Sequence, residues 1–142
     1  MRRRAALALS LTLLPLGTAR AQDATLEEAI RAQIGDRTTQ EGGIALRAPV
    51  VAENGGQVPV TVSVDSPQTA ESHVTAIHLF ATRNPTPGIA SFRLTPLLAR
   101  AEVQTRIRLA EGQVVVAVAQ LSDGTARRVS AEIRVTTGGC LS

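Results

Sequence analysis

The stretch Val58-Pro59-Val60-Thr61-Val62-Ser63-Val64 sets a valine at every second position. In an extended chain successive side chains point to opposite faces, so this run predicts a strand with one apolar face on a core and the other in water. The same period returns downstream. Val103, Thr105, Ile107 and Leu109 alternate with Glu102, Gln104, Arg106 and Arg108, and Val129, Ala131, Ile133 and Val135 alternate with Arg128, Ser130, Glu132 and Arg134. Residues 114–119 are apolar throughout and predict a central strand covered on both faces. Upstream, Leu26, Ile30 and Ile34 recur at helical spacing with Glu27 and Glu28 early in the run, which predicts a short N-terminal amphipathic helix. After Gly35 the period changes from 3.6 to two.

Turn chemistry separates the extended runs: Asn54-Gly55-Gly56, Asp65-Ser66-Pro67, the segment 84–88 with its two prolines, Glu111-Gly112 and Ser122-Asp123-Gly124. About seven strands follow, near residues 44–51, 58–64, 74–81, 90–95, 102–109, 113–121 and 127–136. Short strands at this spacing predict an all-β, immunoglobulin-like antiparallel β-sandwich. Its intersheet disulfide is ruled out, because Cys140 is the only cysteine.

The 142 residues suit one domain, and 44% hydrophobic content is enough to bury a core. All 15 basic residues are arginine, and four of them, Arg2, Arg3, Arg4 and Arg20, lie in the first twenty positions. Arg2, Arg3 and Arg4 precede an apolar run at residues 5–16, and the small-residue pattern Ala19-x-Ala21 follows it, the layout of a secretory signal peptide. Residues 1–21 are therefore expected to be removed, leaving a chain from Gln22 that is free of the membrane in an oxidising compartment. The apolar run is too short to span a bilayer as a helix. Arg2-Arg3-Arg4 leaves general secretion and twin-arginine export both open. Without that segment 11 arginines face 12 carboxylates, so no basic footprint for nucleic acid remains. Phe80 and Phe92 are the only aromatic residues besides histidine, too few for a base-stacking platform. Two histidines and one cysteine make a dedicated metal site improbable.

Residues 74–81 break the clean alternation. One face carries Thr75, Ile77, Leu79 and Ala81, the other Val74, Ala76, His78 and Phe80, and both are largely apolar. The outer face of a sandwich sheet is normally wet, so a cover is required. A second subunit across Val74, Ala76, His78 and Phe80 is the favoured expectation, and the N-terminal helix is the alternative. His73 and His78 fall on opposite sides of this strand and read as structural.

The only thiol, Cys140, follows Thr137-Gly138-Gly139 beyond the last strand. Two glycines predict a slim mobile arm at residues 138–142, with Gly138 and Gly139 supplying flexibility. Extended backbone from Thr136 to Cys140 would reach about 14 Å at about 3.5 Å per residue. Such an arm cannot hold a base or an oxyanion hole in register, so no catalytic residue is assigned within the chain and no cofactor is expected. The position fits neither prenylation nor lipoprotein acylation. A covalent carrier thiol is the favoured reading. An interchain disulfide in a plain binding module, an incidental cysteine and a thiol enzyme stay open.

Several stretches together resemble one family: Gly138-Gly139-Cys140 with Glu53-Asn54-Gly55, Val58-Pro59-Val60-Thr61-Val62, Ala76-Ile77-His78, Asn84-Pro85, Thr95-Pro96, residues 115–119 and Ser122-Asp123-Gly124. In this order they resemble the SoxY family of sulfur-oxidation carrier subunits, across almost all of the chain after residue 21. The resemblance implies an immunoglobulin-like sandwich, a heterodimer with a SoxZ-like subunit and a periplasmic thiosulfate-oxidising system. It implies that Cys140 is the covalent attachment point, loaded by a c-type cytochrome and served by a sulfate-releasing hydrolase and a sulfur dehydrogenase. The family's tail usually reads Gly-Gly-Cys-Gly-Gly, whereas Leu141 and Ser142 follow the cysteine here.

Overall fold

The computed structural model describes residues 18–140, with the side chains of 18–20 and 22 left out. The expected export segment lies outside the described residues as far as residue 17. Helix α1, Thr18–Ile34, begins within its last residues. Cleavage after Ala21 would shorten α1 by about one turn and spare all three of its buried apolar side chains, Leu26, Ile30 and Ile34. Gly35 ends the helix in the left-handed region at φ 67°, with its amide donating to the Arg31 carbonyl at 2.8 Å, a glycine cap. No helix among the described residues is long and apolar enough to cross a membrane.

Nine strands follow among the described residues: β1 Thr39–Glu41, β2 Ile44–Arg47, β3 Val51–Asn54, β4 Val58–Val64, β5 Val74–Ala81, β6 Gly88–Arg93, β7 Ala101–Ile107, β8 Gln113–Leu121 and β9 Ala126–Thr137. They form an immunoglobulin-like sandwich of two sheets. One runs β1-β9-β8-β5-β6 with β3 also paired to β9, and the other runs β2-β4-β7. The deciding run behaves as its period requires: Val58, Val60, Val62 and Val64 are all buried between the sheets.

The count exceeds seven for two reasons. A short β1 pairs parallel to β9, which residues 39–41 do not announce by any apolar alternation. The run expected at 44–51 is two strands. Pro49, which has no amide to donate, lies between them, so β2 pairs antiparallel to β4 while β3 crosses to the other sheet and pairs parallel to β9.

The outer face of the large sheet is closed from within the chain. Leu26, Ile30 and Ile34 of α1 pack on Phe80 of β5, Val116 and Val118 of β8 and Ala126 of β9. Phe80 is 1% exposed, and burying a side chain of this size is worth about 1.5 to 3 kcal/mol. The expected second-subunit face at Val74, Ala76, His78 and Phe80 is thereby corrected: these four residues are already buried in the chain itself. They do not even share a face. A register shift between Val74 and Ala76 turns Val74 into the intersheet core with Ile77, Leu79 and Ala81, leaving Phe80 beneath the helix. An ion pair from Arg128 to Glu27 at 2.7 Å and a bond from the Gln120 amide to the Gln33 carbonyl at 2.9 Å also tie α1 to the sheet.

His78 lies on β5 with Nδ1 2.7 Å from the Ser91 hydroxyl, and its buried Nε2 has no partner among the described residues. Burial, aided by the Arg93 charge, lowers its pKa below the usual histidine value, so the ring is neutral near pH 7. His73 sits at the strand entry with Nδ1 3.0 Å from the Thr69 carbonyl oxygen. Both histidines are held by local partners, as a structural reading requires.

Candidate functional site

Cys140 is a free, exposed thiol three residues beyond the end of β9. The two glycines before it are packed, contrary to the expectation of a slack arm. The Gly55 amide donates to the Thr137 carbonyl at 2.8 Å, the Leu109 amide to the Gly55 carbonyl at 2.8 Å, and the Gly139 amide to the Leu109 carbonyl at 2.9 Å. These bonds stitch the end of β9 between two loops, the turn after β3 and the one between β7 and β8.

The approach is close enough to exclude side chains. A Cβ on Gly138 would stand 2.2 Å from the Ala110 carbonyl oxygen, and one on Gly55 would stand 2.4 Å from the Leu109 carbonyl oxygen. A Cβ on Gly139 would meet the Gly55 carbonyl oxygen at 2.8 Å. Neither Gly138 nor Gly139 adopts a positive φ. Glycine is needed here for proximity between backbones rather than for conformational freedom. The roles assigned to Gly138 and Gly139 change accordingly, from loosening the tail to letting it dock. The thiol begins one residue past the last backbone anchor, so its displacement from Gly139 is about one Cα step of 3.8 Å plus its own side chain. The 14 Å swing expected from Thr136 is not available while the clamp is closed. Leu141 and Ser142 lie outside the described residues.

Polar side chains support the clamp from behind. Asn84 donates through Nδ2 to the Arg108 carbonyl at 2.9 Å and accepts at Oδ1 from the Ala110 amide at 3.1 Å and from Gln113 Nε2 at 2.8 Å. Gln113, 4% exposed, also donates to the Glu111 carbonyl and accepts from the Arg83 amide at 2.7 Å. Leu109 itself is fully buried in the intersheet core. The grip on Gly139 is therefore rooted in the sandwich.

Among the residues that position the thiol, Gly55, Asn84, Leu109 and Gln113 carry no mark in the sequence as site residues. Asn54-Gly55-Gly56 announces a turn, which it is: the Asn54 side chain accepts from the Gly56 amide at 2.8 Å. That local reading conceals the second role of Gly55 against Leu109 and Gly139. Among the described residues no group of three or more His, Cys, Asp or Glu side chains could hold a metal ion.

Residues 30–140 match the family model described as sulfur oxidation protein SoxY. The chain is similar to the solved structure of the sulfur carrier protein SoxY from Chlorobium limicola f thiosulfatophilum, at 36% identity and a TM-score of 0.68, covering 80% of this chain and 98% of that one. It is also similar to a superoxide reductase (neelaredoxin) from Ignicoccus hospitalis, at 20% identity and a TM-score of 0.59 over 66% of this chain and 80% of that one. A superoxide reductase from Nanoarchaeum equitans matches at 11% identity and a TM-score of 0.56, over 68% of this chain and 98% of that one. These two likenesses speak for the sandwich fold alone. No curated protein matches the chain. With the family model running from the last turns of α1 to the thiol, the chain belongs to the SoxY family of sulfur oxidation proteins.

Proposed function

We propose that the chain is a non-catalytic sulfur carrier that holds intermediates covalently on Cys140 in a periplasmic thiosulfate-oxidising system. The observation that carries this reading is an exposed thiol held one residue beyond a backbone clamp, in a chain of the SoxY family. A solitary exposed cysteine is a liability in an oxidising compartment unless its reactivity is used. Sulfur chemistry uses it directly, because S–S bonds form and exchange at a thiolate and serine offers no equivalent.

The Cys140 thiolate joins the outer sulfur of thiosulfate and two electrons pass to a c-type cytochrome, which leaves a thiosulfonate on the protein. Water then attacks the terminal sulfonate sulfur in a hydrolase, sulfate departs, and a persulfide remains. A sulfur dehydrogenase oxidises the outer sulfur to a sulfonate with oxygen from water, and a second hydrolysis frees the thiol. The chain's own residues supply the attachment atom and its fixed position, and the partners supply the oxidants and the attacking water. A SoxZ-like subunit completes the carrier, and it docks elsewhere than on Phe80, which α1 already covers.

The test is reconstitution with partner enzymes and thiosulfate. Cys140→Ser is expected to abolish thiosulfate-dependent electron transfer while leaving the circular dichroism spectrum and heterodimer unchanged. Surviving activity would remove Cys140 from the carrier role.

A further inference from the structure

β6 and β7 are the outer strands of their respective sheets, each paired on one side only. They flank a cleft of about 430 Å³ on the open side of the sandwich. Its lining includes Ile89 and Ile107, the segment at Asn84 and Pro85, and the two arginines Arg106 and Arg108. No carboxylate lines it among the described residues. Arg106 is the penultimate residue of β7 and Arg108 lies one residue beyond its end, and both line the cleft. Both are exposed, and the one ion pair among the described residues, Arg128 with Glu27, involves neither.

The cleft and the thiol share one backbone segment. Leu109, whose carbonyl accepts the Gly139 amide at 2.9 Å, follows Arg108 directly. Asn84, part of the cleft wall, holds that segment from its other side by bonding the Arg108 carbonyl and the Ala110 amide. Two arginines with no ion-pair partner among the described residues thus lie within three residues of Leu109, the anchor of the tail one residue before Cys140. A sulfonate offers three equivalent oxygens to planar guanidinium forks, whereas a thiol offers none.

We propose that Arg106 and Arg108 form an anion site that docks the terminal sulfonate of a sulfur adduct carried on Cys140. This rests on the carrier reading and adds that the loaded and unloaded states of the chain differ in where the adduct lies. A sulfonate-ended adduct turns into the cleft, and loss of sulfate releases the remaining sulfur to solvent.

Chemical loading tests this without any partner enzyme. The Cys140 thiolate attacks a central sulfur of tetrathionate, the central S–S bond breaks, and thiosulfate leaves with the electron pair, so Cys140 retains a thiosulfonate. In the loaded full chain the Nε–Hε resonances of Arg106 and Arg108 are expected to move. Removal of the adduct by glutathione should run about threefold faster in Arg106→Gln/Arg108→Gln, within the range that exposed ion pairs produce. Unmoved arginine resonances with equal removal rates overturn the proposal. So does movement caused by free thiosulfate on Cys140→Ser but not by the adduct, because the cleft would then take oxyanions from solution only. Failure of the cytochrome to load Cys140 would instead refute the carrier reading, since tetrathionate loading does not use it.

Discussion

Helix α1 and the tail at residues 137–140 both lie against the sandwich, one held by side chains and the other by their absence. α1 lays Leu26, Ile30 and Ile34 over Phe80, Val116 and Val118, an apolar contact of ordinary kind. The tail places Gly138 and Gly139 so near Ala110 and Gly55 that no Cβ fits, and it is held by single backbone hydrogen bonds. The first contact stabilises the whole fold through buried area. The second contributes little area but sets the position of one atom, the Cys140 sulfur. On the proposed carrier reading stability and function are thus separated in the same domain, and substitutions should separate them too.

The largest effect is expected beneath the helix. Phe80→Ala should cost about 3 to 5 kcal/mol in denaturant unfolding, the usual range for a fully buried aromatic, while leaving the reactivity of Cys140 in the folded protein unchanged. Phe80→Asp should leave the isolated chain unfolded, because the carboxylate would lie under α1 with no partner. A folded Phe80→Asp chain that only loses its partner subunit would restore the subunit-interface reading of this face.

A smaller effect is expected at the clamp. Gly55→Ala drives a methyl toward the Leu109 carbonyl and should cost about 1 to 3 kcal/mol, the range for overpacking. Its signature is local. Amide exchange at Gly139 and Leu109 should rise more than exchange in β8, and Cys140 should react faster with a disulfide reagent. Uniform acceleration across all amides would mean that Gly55 serves the fold only.

The smallest effect concerns His78. Its pKa lies below the usual value in the folded chain, so the unfolded chain binds the proton more tightly. The contribution is fully present above about pH 6.5 and is lost as the pH falls through the folded value. Thermal stability should therefore decline on acidification below about pH 6.5, and His78→Leu should flatten that decline. An unchanged slope in the variant would assign the acid sensitivity to other groups.

Much of this was legible in the sequence wherever one period dominates. Val58–Val64 and Val74–Ala81 occupy the expected residues, and residues 114–119 are covered on both faces. What closes the outer face was harder to read, because Phe80 and Val116 demand an apolar cover without naming it. Leu26, Ile30 and Ile34 supply it, and their spacing alone does not say which sheet they meet. The clamp was illegible for a different reason. A glycine that permits a turn and a glycine that permits close approach are the same letter, and Leu109 lies far from both Gly55 and Gly139 along the chain. Cys140 stood out because it is unique, while the residues that place it did not.

Intact-protein mass spectrometry of the native protein, isolated during growth on thiosulfate and followed by peptide mapping, tests the central claim most directly. The account predicts sulfur-containing adducts confined to the peptide bearing Cys140 and removed by a small thiol. A Cys140 thiol free of adducts throughout, or present only as a disulfide to a second chain, would contradict it.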